Sequence, residues 1–235
     1  MAEQRLKDRI ALITGASRGI GRAVALAYAR EGAHVLLLAL TRKSLEEVDD
    51  AIKADGGTAT LIPLNLAHGP KIDALGPNLY ERFARLDVLV GNAAMLGRLS
   101  PLTHVPSEHW ERVLAVNLTA NWRLIRALDP LLRRSEAGRV IFVTSAGAQD
   151  GEAYWAPYSV SKAALEALAK TYANETADSA VRVNLIDPGD VATSLRAEAF
   201  PGDDPSTLRQ PEDLAEIFVR LALPETNETG QTFKG

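Results

Sequence analysis

The chain has 235 residues, 46% hydrophobic and 24% charged, enough for one large α/β core and too short for a second independent one. A net charge of −4 gives no reason to expect nucleic acid or an anionic membrane as partner. The absence of cysteine excludes disulfides and thiol catalysis and suits a reducing cytoplasm. No apolar run approaches the ~20 residues that span a bilayer, and MAEQRLKDRIALITG runs into a strand with no room for a signal peptide. The expectation is one cytoplasmic domain over residues 1–235, with no nucleic-acid or membrane partner. His34, His68, His104 and His109 lack metal-ligand spacing, so no metal is expected.

Short apolar runs alternate with longer amphipathic ones. Residues 9–14, 34–40, 58–64, 87–92, 139–144 and 181–186 read as buried strands, each bounded by Gly, Asp or Asn. Helical patterns fall at 19–31, 44–55, 70–84, 107–134, 157–178 and 211–223. Pro106-Ser-Glu-His and Gln210-Pro-Glu-Asp read as helix starts, with first-turn carboxylates. This alternation predicts the α/β class: a single Rossmann-like, doubly wound parallel sheet with helices on both faces. Ligands of such sheets bind at the carboxyl ends of the strands. The Gly/Pro/Asp-rich stretch within 192–210 follows the sixth strand and reads either as a substrate lid or as a surface loop.

The stretch TGASRGIG at 14–21 joins the first strand to the first helix. Gly15 can turn the backbone sharply, Gly19 lets it approach a pyrophosphate, and Gly21 lets the helix pack on the sheet. Free N–H groups at the helix start then face the anion. The end of the second strand, Leu38-Ala39-Leu40-Thr41-Arg42-Lys43, has no acid to accept from a ribose 2′-hydroxyl. Downstream, YSVSK at 158–162 places Tyr158 and Lys162 one turn apart on one helix face. An unperturbed tyrosine has a pKa of about 10, and a neighbouring ammonium favours its phenolate. Ser145 closes the fifth strand, where a hydroxyl can donate to a carbonyl oxygen as charge builds there. Asn117 falls inside a helix, an unfavourable place for an amide without a partner.

The TGxxxGIG spacing, Asn117, Ser145, the YxxxK pair and Asp187-Pro-Gly together resemble the short-chain dehydrogenase/reductase (SDR) family over nearly the whole chain. LRAEAFPGDDP at 195–205 and VGNAAMLG at 90–97 are similar to its YciK-like bacterial branch. The resemblance implies an enzyme moving hydride between a nicotinamide and a carbonyl/alcohol carbon, with Tyr158 as acid/base, Lys162 tuning it, Ser145 holding the substrate oxygen and Asn117 steadying the network. It implies cofactor contacts from Gly15, Ser17, Arg18, Gly19, Ile20 and Gly21 in the turn, and from Thr41, Arg42, Asn65 and Leu66 at the adenosine end. Asn92, Ala93 and Ala94 would follow, then Tyr158, Lys162, Pro188, Gly189, Val191 and Thr193 at the nicotinamide end. Arg18 matches the family's basic residue against a 2′-phosphate, which favours NADP, with NAD as the alternative. Asn65 and Ala94 stand where the family commonly has Asp and Gly, and Leu40 is apolar where the family's usual basic position falls. Met95, Leu96, Tyr154, Trp155 and Phe200 would frame a small, largely apolar carbonyl or alcohol substrate, and the family association is a homodimer or homotetramer. A non-catalytic NADP-binding sensor and an SDR-type isomerase or dehydratase are the readings from other classes.

Overall fold

The structure, a computed structural model, describes residues 4–146 and 150–235. Strands β1 (Ile10–Thr14), β2 (His34–Ala39), β3 (Thr58–Pro63), β4 (Val88–Gly91), β5 (Arg139–Val143), β6 (Arg182–Asp187) and β7 (Thr232–Lys234) form one sheet. Their order is β3-β2-β1-β4-β5-β6-β7, and every pairing is parallel.

Side-chain alternation splits the apolar residues between two cores. Ala11, Ile13, Val35, Leu37, Ile141 and Val143 meet α1 (Gly19–Arg30), α2 (Arg42–Ala54) and α9 (Ala215–Ala222), through residues such as Val24, Val48 and Phe218. Leu12, Leu36, Leu38, Val140 and Phe142 face the opposite way. They meet α3 (Gly69–Asp73), α4 (Leu75–Phe83), α6 (Ala120–Leu132) and α7 (Tyr158–Glu175). Burial on both faces explains why these strands read as continuous apolar runs. The doubly wound sheet expected from the sequence is therefore the one found.

Two expected helices are divided. The pattern at 70–84 becomes α3 and α4, and that at 107–134 becomes α5 (Ser107–Leu114), a π-turn (Ala115–Thr119) and α6. Side-chain competition produces the second break. The Asn121 amide donates to the Asn117 carbonyl at 2.8 Å, and the Asn117 side chain is spent outside its own helix. Wider i→i+5 turns of this kind recur at functional sites.

The 192–210 stretch is not an open loop. It holds α8 (Ser194–Ala199), capped by the Thr193 hydroxyl, and a 3₁₀ turn at Pro205–Thr207. Its two ends are joined by a bridge between Val191 and Arg209, with the Ala192 N–H donating to Arg209 O at 2.9 Å.

Strand order reverses between β1 and β4, which opens a crevice at their carboxyl ends. Gly21 governs how α1 leaves that crevice, because a β-carbon there would collide with the Gly15 carbonyl and the Asn92 amide. Gly21→Ala is expected to cost about 1–3 kcal/mol in urea unfolding; an unchanged midpoint would show that α1 can shift freely.

Candidate active site

A cleft of about 520 Å³ runs along the carboxyl ends of the central strands. Its floor is the glycine turn, where Gly15 and Gly19 have φ of +66° and +53°, a region that side-chain-bearing residues avoid. Thr14 ties the turn to β4. Its hydroxyl accepts the N–H groups of Asn92 and Ala93, both at 3.0 Å, and donates to the Val90 carbonyl at 3.2 Å. The Asn92 amide donates back to Thr14 O at 2.9 Å, so this side chain holds the crevice wall as well as lining it.

Ser17, Arg18 and Ile20 line the same floor, and Arg18 is exposed at the start of α1. Asn65 and Leu66 close the far end of the cleft, with Leu40 beside them at 66% exposure. The Asn65 side-chain oxygen, Oδ1, accepts the Ala67 N–H at 2.9 Å, so the acceptor expected to face an adenine also serves a local turn. Thr41 and Arg42 fall outside the cleft lining. The Thr41 hydroxyl bonds Ser44 at 2.7 Å, and Arg42 donates to Glu46 at 3.0 Å on the next helical turn.

At the other end of the cleft, Ser145, Tyr158 and Lys162 come together, with Ala93, Ala94, Pro188, Gly189, Val191 and Thr193 around them. Lys162 is 2% exposed, and its ammonium donates to the Val143 carbonyl at 2.7 Å. Burial lowers its pKa to about 8. Its nitrogen lies 5.7 Å from the centre of the Tyr158 ring. The expected depression of Tyr158 by this ammonium is not what the packing produces. Burial raises the phenol, the Ser145 hydroxyl opposes that by hydrogen bonding, and the Asp187 charge adds a smaller upward push.

Asn117 lies behind this group and does not line the cleft. Its side chain bonds both backbone groups of Met95, at 2.9 and 3.0 Å, and donates to the Ser161 hydroxyl at 3.0 Å. It therefore joins the loop after β4 to the helix that carries Tyr158 and Lys162. The Thr193 hydroxyl is also occupied, accepting the Arg196 N–H at 3.2 Å, while its methyl would meet a β-carbon on Gly19 at 3.3 Å.

Of the residues expected to frame a substrate, Met95, Trp155 and Phe200 line the cleft. Tyr154 is 61% exposed outside it, and Leu96 is buried in the fold. The tight, left-handed backbone at Tyr154 (φ +75°) turns its side chain out as Trp155 turns in. Arg112 and Arg196 also line the cleft and were not foreseen, nor was Glu166, whose carboxylate accepts the Thr144 hydroxyl at 2.8 Å. The periodicity offered one sign of Glu166: it continues the face of Tyr158 and Lys162 by one more turn.

A dinucleotide fits this donor set. Gly15 and Gly19 line the cleft without side chains at the start of α1, where a pyrophosphate would lie, Gly21 packs outside the lining, and the cleft continues to Tyr158. Among the described residues, no cluster of His, Asp or Glu could hold a metal ion, and no helix is long and apolar enough to cross a membrane.

Sheet, glycine turn and Ser–Tyr–Lys group define a nucleotide-dependent oxidoreductase acting on CH–OH or C=O groups. The family model described as short chain dehydrogenase matches residues 9–204, and the chain belongs to that family. It is 36% identical over 232 residues to the oxidoreductase YciK of Escherichia coli (strain K12), covering 97% of this chain and 92% of that one. A short chain dehydrogenase structure from Pseudomonas syringae superposes with a TM-score of 0.95 at 41% identity, over 98% of this chain and 96% of the other. One from Escherichia coli CFT073, complexed with NADPH, does so with a TM-score of 0.94 at 36% identity, over 99% and 98%.

The buried ammonium has a thermodynamic signature. Its folded pKa, about 8, lies below the ordinary 10.5, so between these values the unfolded chain binds a proton that the folded chain does not. Stability therefore rises with pH across that window. Relative to Lys162→Met, the wild type is expected to gain on the order of 1–3 kcal/mol between the two limits in urea melts. Parallel pH responses of the two proteins would contradict the burial of a titrating ammonium.

Proposed function

We propose that the protein is an NADP(H)-dependent reductase or dehydrogenase of small, largely apolar carbonyl or alcohol compounds, with Tyr158 as the acid/base. The observation that carries this is the convergence of Ser145, Tyr158 and Lys162 on the cleft that begins at the glycine turn. Gly15, Ser17, Arg18, Gly19 and Ile20 would hold the phosphates, with Arg18 the cation for a 2′-phosphate. Asn65 and Leu66 would bound the adenine, and Ala93, Ala94, Pro188, Gly189 and Val191 the nicotinamide half. NADPH-bound relatives of this fold support the choice of NADP over NAD.

When bound, the nicotinamide supplies hydride to the carbonyl carbon. The Tyr158 hydroxyl donates the proton to the carbonyl oxygen, and Ser145 donates a hydrogen bond to the same oxygen as negative charge develops. Burial keeps the phenol protonated well into alkaline solution, the form that reduction needs. Lys162, held by Val143, keeps a positive charge under the site at neutral pH. Met95, Trp155, Leu195, Ala199 and Phe200 give the substrate side its apolar character.

Two coarser features accompany this reading. Trp122 on α6 and Val160 on α7, 42% and 44% exposed, support self-association through these helices as a homodimer or homotetramer. The absence of cysteine supports a cytoplasmic location.

Tyr158→Phe removes the proton donor and leaves the glycine turn untouched. Turnover with NADPH is expected to fall about 10²–10⁴-fold, while NADPH affinity by fluorescence titration stays at the wild-type value. Unchanged turnover in this variant would overturn the role given to Tyr158, and a wild type that binds NADPH without consuming it would identify a sensor.

A further inference from the structure

The segment after β6 carries an arrangement that the proton chemistry does not use. The Arg196 guanidinium donates to Asp190 on one side and to Asp203 on the other, the latter at 2.7 Å. Its carbon also lies 3.8 Å above the centre of the Phe200 ring. Phe200 in turn packs tilted against Trp155, with ring centres 5.5 Å apart. Trp155 meets the Tyr158 ring edge-on at 6.0 Å. Tyr158, Trp155, Phe200 and Arg196 all line the cleft, so a continuous π surface leads from the proton donor to the guanidinium.

The ion pairs contribute little as bare attractions, since Asp190 is 67% exposed and solvent screens it. Their effect is geometric. Asp190 lies just before the Val191–Arg209 bridge that closes the base of the segment, and Asp203 follows Phe200 in sequence, so Arg196 ties the two ends of the segment together over the ring. A planar fork fixed at both ends can hold an aromatic face in place, which a flexible ammonium cannot do. Without it, the Phe200 ring would be carried at the end of a six-residue helix held by the Thr193 hydroxyl at its start and by the Phe200 N–H donating to the Arg196 carbonyl at its end.

We infer that this wall selects carbonyl compounds bearing an aromatic or conjugated ring next to the reacting carbon, and that Arg196 is the positioning residue that holds the wall by fixing Phe200. The inference rests on the oxidoreductase reading above and names the substrate class for that site. Aromatic side chains attract a planar ring beyond the area it buries, by edge-to-face or offset contacts, whereas a saturated ring of equal bulk gains only burial.

The test is calorimetric binding to the NADP⁺-saturated protein, which does not depend on turnover. The probes are 1-phenyl-1,2-propanedione and 1-cyclohexyl-1,2-propanedione, which share the reacting group and nearly the same bulk. The wild type is expected to bind the phenyl compound about fivefold more tightly. Arg196→Met and Phe200→Ala are expected to remove that preference while NADP⁺ affinity stays at the wild-type value. Arg196→Lys, which keeps the charge and loses the fork, is expected to remove it too and serves if the Met variant folds poorly. Equal binding of the two compounds by the wild type, binding of neither, or a preference that survives in the Arg196 variants would overturn the inference. A wild type that fails to bind NADP⁺ would instead overturn the cofactor reading beneath it.

Discussion

The arrangement of the site depends on a buried ammonium donating to the last carbonyl of a central strand. Lys162 reaches from α7 to Val143 at the end of β5, and one turn further on Glu166 takes the hydroxyl of Thr144. Two successive residues of the strand end are thereby held by two successive turns of one helix. The Thr144 N–H continues the sheet to Ile186 at 2.8 Å, so the grip extends to β6. Ser145 is the next residue, and Tyr158 opens the helix. Their relative position is a consequence of these bonds, not of a flexible loop.

Burial that fixes the geometry also sets the protonation states. Taking Lys162 out of water costs stability at neutral pH, because the charged form is the one penalised. The same penalty on the charged form shifts Tyr158 the other way, raising its pKa and holding its proton more firmly. A site built from two desolvated groups is poised as a proton donor over a cationic floor. Ser145 is the counterweight, since its hydrogen bond eases the phenol toward release. The nucleotide end follows a different rule, with backbone turns at Gly15 and Gly19 and the Thr14 hydroxyl doing what charge does at the far end.

Sheet and glycine turn were legible because their signals are local. Each of the first six strands was bounded within one residue by its apolar run, and positive φ at Gly15 and Gly19 follows from the turn itself. What escaped depends on contacts distant in sequence. The break at Asn117 requires Met95 and Ser161 to be brought alongside it. Arg196 gave a faint sign, with Asp190, Phe200 and Asp203 within one short stretch, but only the folded segment turns these into a clamp. The raised phenol could not be read from YxxxK, because spacing reports the neighbouring ammonium and not the depth of burial.

The central claim is that burial, more than the neighbouring ammonium, governs the proton on Tyr158. The direct measurement is a pH titration of the protein carrying ¹³C at the ζ carbon of its tyrosines, five in all, with the Tyr158 resonance assigned by its loss in Tyr158→Phe. In the protein without nucleotide, the Tyr158 signal is expected to remain that of a neutral phenol past the ordinary tyrosine pKa of about 10. A phenolate signal at neutral pH would contradict the account and return the control of the proton to Lys162.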